Sequence, residues 1–180
     1  MKTVIYYFSK TGHSKSYAES LASRINCEYF DYKKMKAKKM KEFDTILYVA
    51  PVHGNKICKV AKFLKLYKKI KDKNLFIVAV GMQPPDKERR QTIITVNLLD
   101  DYHIRLYELI GGFDANKLSW IVRKIMKIGL KSAIEKDPAL KAQAGMINTI
   151  FDVPREYNDI SGIEKIMDTI HRLERESKVV

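Results

Sequence analysis

The stretch Tyr6-Tyr7-Phe8-Ser9-Lys10-Thr11-Gly12-His13-Ser14-Lys15-Ser16 limits this chain's folding options more than any other. Before the turn, Thr3 to Phe8 is a β-rich apolar run of the kind that forms a buried strand. After it, Tyr17, Ala18, Leu21, Ala22 and Ile25 recur at helical spacing. Residues 9–14 are therefore a tight strand-to-helix turn, rich in hydroxyls and with one glycine. Such a turn aims backbone N–H groups and the positive end of a helix dipole at one point, which suits a phosphate. Ser9, Thr11 and Ser14 add hydroxyl donors, and Gly12 removes a side chain where backbone must approach an anion. The Walker pattern is absent, as is the three-glycine dinucleotide fingerprint. A hydroxyl-rich helix cap with no ligand is the plainer alternative. Ser16-x-x-Glu19 predicts a capping box near the helix start.

The remaining chain alternates between two periods. Strands are predicted at 2–8, 28–32, 44–50, 75–81 and 104–110. Helices are predicted at 14–25, after 56 (Val60, Phe63, Leu64 and Tyr67 on one side), at 87–101 and at 160–177. Asp44-Thr45-Ile46-Leu47-Tyr48-Val49-Ala50 is nearly all apolar past its start, as in strands covered on both faces. Alternation of this kind predicts an α/β, doubly wound parallel sheet. Ligands of such sheets bind beyond the carboxyl ends of the strands, where the strand order reverses. Loops 9–14, 51–56 and 81–85 fall there, the first suited to phosphate and the other two to flanking a flat ring.

Charge and composition narrow the functional classes. The 180 residues are 46% apolar and carry a formal net charge of +13, enough for one α/β domain with a substantial core. No apolar run is long enough to cross a bilayer and no signal peptide precedes the first strand, so an intracellular, cytoplasmic protein is expected, with peripheral membrane attachment left open. Cys27 and Cys58 lack metal-ligand spacing and are expected as reduced thiols. The basic balance favours acidic protein partners, anionic lipid or nucleic acid, or simply serves solubility. The lysine-rich run at 33–41 should be solvated, and it lacks the base-reading and aromatic residues of a nucleic-acid site, so none is expected there. His103 and His171 join no constellation, and spacing shows no metal cluster.

Between the fifth predicted strand and the last helix lies a segment too long for a plain connection. Within it, Trp120 to Lys131 is predicted to form an amphipathic helix with the cations Arg123, Lys124, Lys127 and Lys131. Core packing or a membrane-surface position both fit the pattern, and packing is the expectation.

The form Ser9-x-Thr11-Gly12-x-Ser14 after the first strand resembles the FMN phosphate loop of flavodoxins. Leu109-Ile110-Gly111-Gly112-Phe113, followed by Leu118-Ser119-Trp120-Ile121-Val122-Arg123-Lys124-Ile125-Met126, is similar to the branch of flavodoxin-domain proteins that includes menaquinone-dependent protoporphyrinogen oxidases. The resemblance implies a flavodoxin-like five-stranded sheet of order 2-1-3-4-5 in a single domain, with an extra helical segment at about 114–157. It also implies noncovalent FMN and electron transfer to a quinone or other small molecule. Ser9, Lys10, Thr11, Gly12, His13 and Ser14 would then take the phosphate. Pro51, Val52, His53, Gly54 and Asn55 would line the ring, with Gly81, Met82 and Gln83 opposite. These ring loops offer His53 but no Tyr or Trp, which implies an open flavin face. Two other classes stay open: a flavodoxin-type electron carrier docking to a redox protein, and a module without flavin.

Overall fold

The computed structural model describes residues 1–112, 116, 120–136 and 158–178. These belong to two compact units: Met1–Gly111 together with Asn158–Val180, and Gly112–Tyr157.

In the first unit, β1 (Thr3–Tyr7), β2 (Glu28–Asp31), β3 (Thr45–His53), β5 (Asn74–Gly81) and β6 (Arg105–Ile110) form a sheet in the order β2-β1-β3-β5-β6. All of these neighbours pair in parallel. Numbering only these five strands recovers the expected order 2-1-3-4-5. One further strand departs from expectation: β4 (Lys56–Ile57) folds back antiparallel on β3, pairing Val52 with Ile57 and His53 with Lys56. The predicted 51–56 loop is thus a hairpin, with Pro51, Val52 and His53 inside β3. A two-residue strand has no periodicity to read, but Gly54-Asn55 is a hairpin dipeptide. Both residues have positive φ, 54° and 64°, as a type I′ turn requires.

The sheet divides the core because side chains alternate between its faces. On one face Val4, Tyr6, Ile46, Tyr48, Ala50, Leu75, Ile77 and Ala79 pack under Phe63 of α3 (Val60–Leu66) and Ile93 of α4 (Lys87–Val96). On the other, Ile5, Leu47, Val49, Phe76 and Val78 pack under α1 (His13–Ile25) and α6 (Ile160–Glu176). In α6, Ile163, Ile166, Met167 and Ile170 face that core, at i, i+3, i+4 and i+7, the spacing read from the sequence.

Two local expectations shift. α1 begins at His13 with Gly12 as its N-cap, so Ser16 and Glu19 form no capping box; Glu19 instead pairs with Lys15 at 3.4 Å and accepts a hydrogen bond from the Tyr29 hydroxyl. The run 33–41 is not simply solvated. It includes the short α2 (Ala37–Met40), and Met35 and Met40 are buried under it, while Lys34 and Lys39 lie over the Phe30 ring at 5.5 and 4.4 Å. Cys27 and Cys58 are free thiols.

The chain leaves the sheet at Ile110 and rejoins the unit at Asn158, and one buried tyrosine closes that junction. The Tyr17 hydroxyl donates to the Ile110 carbonyl oxygen at 2.5 Å and accepts from the Asp159 N–H at 2.7 Å. The Asp159 carboxylate caps α6 through the Gly162 N–H at 2.8 Å and takes the Ile110 N–H at 3.2 Å.

In the second unit, α5 (Trp120–Lys136) extends the predicted 120–131 helix by five residues. Packing was expected of its apolar residues, yet Trp120, Ile121, Ile125 and Ile128 are exposed. Phe113, Leu118 and Ser119 of the sequence likeness, and residues 137–157 of the extra segment, lie outside the described residues. No described helix is long and apolar enough to cross a membrane.

Candidate functional site

The turn after β1 is set by its strand and by one glycine. The Phe8 N–H donates to the Val49 carbonyl oxygen at 2.9 Å, which extends the β1–β3 register past Tyr7. The chain then turns at Gly12, whose φ of +97° is unfavourable for any residue with a Cβ. The Gly12 N–H donates to Ser9 Oγ at 3.0 Å, so Ser9 closes the turn as well as offering its own proton. Among the described residues, no side chain caps α1. The N–H groups of its first turn have no intrahelical acceptor and sit at the positive end of the helix dipole. Lys10 and Gly12 are exposed, Thr11 and His13 are half-buried, and Ser14 is buried in the first turn.

The second loop is the hairpin tip. Its conformation is held from α4, through a residue to which the sequence reading gave no role. Asn97 is buried at the end of that helix; its Oδ1 accepts from the Ile57 N–H at 2.9 Å and its Nδ2 donates to the Asn55 carbonyl oxygen at 2.7 Å. The Tyr48 hydroxyl adds a bond to the Cys58 carbonyl oxygen at 2.7 Å. His53 and Gly54 are exposed, and Pro51, Val52 and Asn55 are half-buried.

The third loop follows β5. Gly81 is buried while Met82 and Gln83 are exposed. Arg89 supports this loop from beneath, donating from Nη1 to the Gln83 carbonyl oxygen at 3.0 Å. A Cβ at Gly81 would collide with the same guanidinium. Arg89 is in turn 3.9 Å from the carboxylate of Glu108 on β6, which Arg90 approaches to 3.5 Å. Asn97 and Glu108 lie far in sequence from the loops they support, whereas Arg89 is six residues beyond Gln83, where the Asp86 cap on its N–H, 3.0 Å, leaves a local sign.

The three loops end adjacent strands, since β1, β3 and β5 are neighbours. The first two are also linked electrostatically. Partial desolvation of the His53 ring, whose residue is exposed as a whole, followed by the Lys10 charge, pushes its pKa down. Burial raises the Cys58 thiol pKa, with Lys10 and Lys59 opposing it. The third loop meets the second through β5, where Pro51 is in register with Val80. Among the described residues there is no group of His, Cys, Asp and Glu able to hold a metal. A cavity of about 660 Å³ lies along the outer edge of β6, lined by Arg90, Arg105, Asp159 and Lys165 among others, away from the β1–β3 loops.

The flavodoxin domain profile matches residues 4–138, three quarters of the chain. No curated protein matches the sequence. Among solved structures, the two-electron reduced flavodoxin of Megasphaera elsdenii is similar at 16% identity, covering 60% of this chain and 83% of that one with a TM-score of 0.45. The Trp repressor binding protein of Bacillus subtilis is similar at 13% identity, covering 60% and 85% with a TM-score of 0.44. Oxidised flavodoxin 1 of Bacillus cereus is similar at 18% identity, covering 61% and 86% with a TM-score of 0.40.

FMN is the cofactor this family implies, and the residues fit it on a direct test. A Cβ built on Gly12 meets nothing within 4 Å, so the uncapped first turn of α1 opens onto space that a phosphate can enter. The donor set there is neutral or cationic, with no acidic residue in the first turn. From the profile match and the parallel β2-β1-β3-β5-β6 sheet, the chain belongs to the flavodoxin domain family, whose cofactor is FMN.

Proposed function

We propose that this protein is an FMN-dependent oxidoreductase that exchanges electrons with a quinone or another small molecule. The observation that carries the reading is the uncapped N-terminus of α1 behind Gly12, at the end of β1. Ser9, Thr11, Gly12, His13 and Ser14 bind the phosphate through backbone N–H groups and hydroxyls, and Lys10 adds a positive charge beside them. The hairpin Pro51–Asn55 and the loop Gly81–Gln83 hold the ring. When bound, FMN supplies reversible uptake and release of electrons; the protein binds, orients and tunes it. The choice of a small-molecule acceptor is supported by the exposure of His53, Gly54, Met82 and Gln83 with no Tyr or Trp among them. Its quinone form rests on the likeness of Leu109 to Phe113 to the protoporphyrinogen oxidase branch.

A second reading, an electron carrier docking to a redox protein, is favoured by the net charge of +13, which would steer an acidic partner. Two measurements decide. Thermal shifts with FMN and riboflavin test the site, because a ligand that binds only the native state raises its melting temperature. FMN should raise it and riboflavin should not; equal shifts would overturn the phosphate assignment. Reduced, FMN-loaded protein is then mixed with a quinone or with an acidic redox protein. Fast reoxidation by the quinone supports the first reading, and fast exchange only with the protein supports the second.

A further inference from the structure

α5 has two apolar sides, and on one of them the aliphatic side chains are exposed. At about 100° per residue, Ile121, Ile125 and Ile128 fall within about 60° of one another around the helix. All three are exposed, at 52, 64 and 62%. Leu130 and Ile134 lie on roughly the opposite side and are half-buried. Trp120, 74% exposed, begins the flank beside the exposed stripe, and Lys124, Lys127 and Lys131 continue down the same flank, all exposed. The helix carries five cations and a single carboxylate, Glu135.

Isolated exposed aliphatic side chains are ordinary, whereas a continuous stripe bordered by charge marks an interaction surface. The occupant follows from charge and shape. The helix is too short and too charged to span a bilayer. It has the composition of a helix that lies in the plane of the interface, with aliphatic residues toward the acyl chains and lysines reaching back to phosphates. Tryptophan is favoured at that depth. A protein groove would need a fitted apolar floor with acid along one side only. A fluid anionic bilayer meets the stripe and the lysines together without a fitted shape.

We propose that α5 is a docking element for an anionic lipid surface: Trp120, Ile121, Ile125 and Ile128 enter the headgroup boundary, and Lys124, Lys127 and Lys131 bind lipid phosphates. None of these residues is among those proposed to hold FMN, so the proposal stands or falls independently of the cofactor. The lysine-rich run 33–41 is the competing cationic site on the chain, although Lys34 and Lys39 there lie over Phe30.

Trp120 is the chain's single tryptophan, so its emission reports on this helix alone. The full-length protein is titrated with vesicles of phosphatidylglycerol and phosphatidylcholine, and with vesicles of phosphatidylcholine only. The expected result at low salt is co-sedimentation with the anionic vesicles, a blue shift of Trp120 emission and protection from iodide quenching. Partitioning should fall about tenfold or more as salt rises to about 0.5 M, because screening shortens the reach of the lysines. Neutral vesicles should bind little. Ile121, Ile125 and Ile128 changed together to Ser should lose the blue shift and about tenfold in partitioning, with an unchanged melting temperature. Lys124, Lys127 and Lys131 changed to Gln should lose most of the salt dependence. If the triple Ser variant misfolds, Ile125→Asp alone is read in the same way, and quenching of the unaltered protein needs no variant. The proposal is overturned by an unshifted Trp120 in the presence of anionic vesicles, by equal shifts with both vesicle types, or by full binding of the triple Ser variant, which would move the contact to 33–41. A shift with polyglutamate and none with vesicles would also overturn it, in favour of an acidic protein surface.

Discussion

Asn97, at the end of α4, reaches across to Asn55 at the tip of the β3–β4 hairpin and binds its carbonyl oxygen from Nδ2 at 2.7 Å. The same side chain takes the Ile57 N–H at 2.9 Å and is 8% exposed. A helix end therefore sets the shape of the hairpin proposed to hold the ring. Asn97→Ala leaves the Ile57 N–H unpaired in a buried place, a loss of about 2 kcal/mol. A denaturant midpoint lowered by that amount is expected, together with weaker FMN binding in a fluorescence titration. Lost stability with unchanged FMN affinity would show that the hairpin does not touch the cofactor.

Gly12 separates folding from binding. At φ +97°, a residue with a Cβ is strained by roughly 1–2 kcal/mol, but no atom within 4 Å collides with it. Gly12→Val should therefore fold with a modestly lowered melting temperature and bind no FMN, because the branched side chain fills the phosphate's approach. Ser14→Ala removes one hydroxyl from a buried position and should weaken FMN by about 1 kcal/mol or less. A folded Gly12→Val that retains yellow FMN would place the phosphate elsewhere.

The Glu108 carboxylate lies between two arginines with its side chain 5% exposed. Glu108→Gln leaves Arg89, 16% exposed, without its opposite charge. Since Arg90 is 42% exposed and water can compensate it, a cost of about 1–3 kcal/mol is expected rather than that of a fully buried pair. If the pair acts by holding Gln83, the combination of Glu108→Gln with Arg89→Leu should cost less than the sum of the two. Urea unfolding of the four proteins measures this coupling, and simple additivity would argue against the connection.

His53 gives a pH signature. Its pKa is lowered by partial desolvation of the ring and then by Lys10, so the folded protein binds that proton less readily than the unfolded chain. Its contribution to stability is complete above the ordinary imidazole value near 6.5 and declines as pH falls through the lower folded value. In proton NMR, the His53 ring should titrate below the ordinary range, and Lys10→Gln should move it back part of the way. A titration unaffected by Lys10→Gln would mean that the two loops are not electrostatically adjacent.

The sequence by itself determined the features that depend on local period and turn chemistry. Buried parallel strands are apolar on both faces, so β1, β3 and β5 were legible as apolar runs. α6 was legible because Ile163, Ile166 and Ile170 recur at helical spacing, and the strand-to-helix turn because Gly12 and its hydroxyl neighbours sit within six residues. Tertiary structure decided what depends on pairs distant in the chain. Tyr17 meets Asp159 across 142 positions, Asn97 meets Asn55 across 42, and Arg90 meets the Leu106 carbonyl oxygen across 16. β4 is two residues long and exists because β3 is there to pair with it. The exposed side of α5 belongs to the same class. Periodicity shows that the helix has apolar residues, but only the structure shows that Ile121, Ile125 and Ile128 are exposed, because the same amphipathic pattern serves a core and a surface equally well.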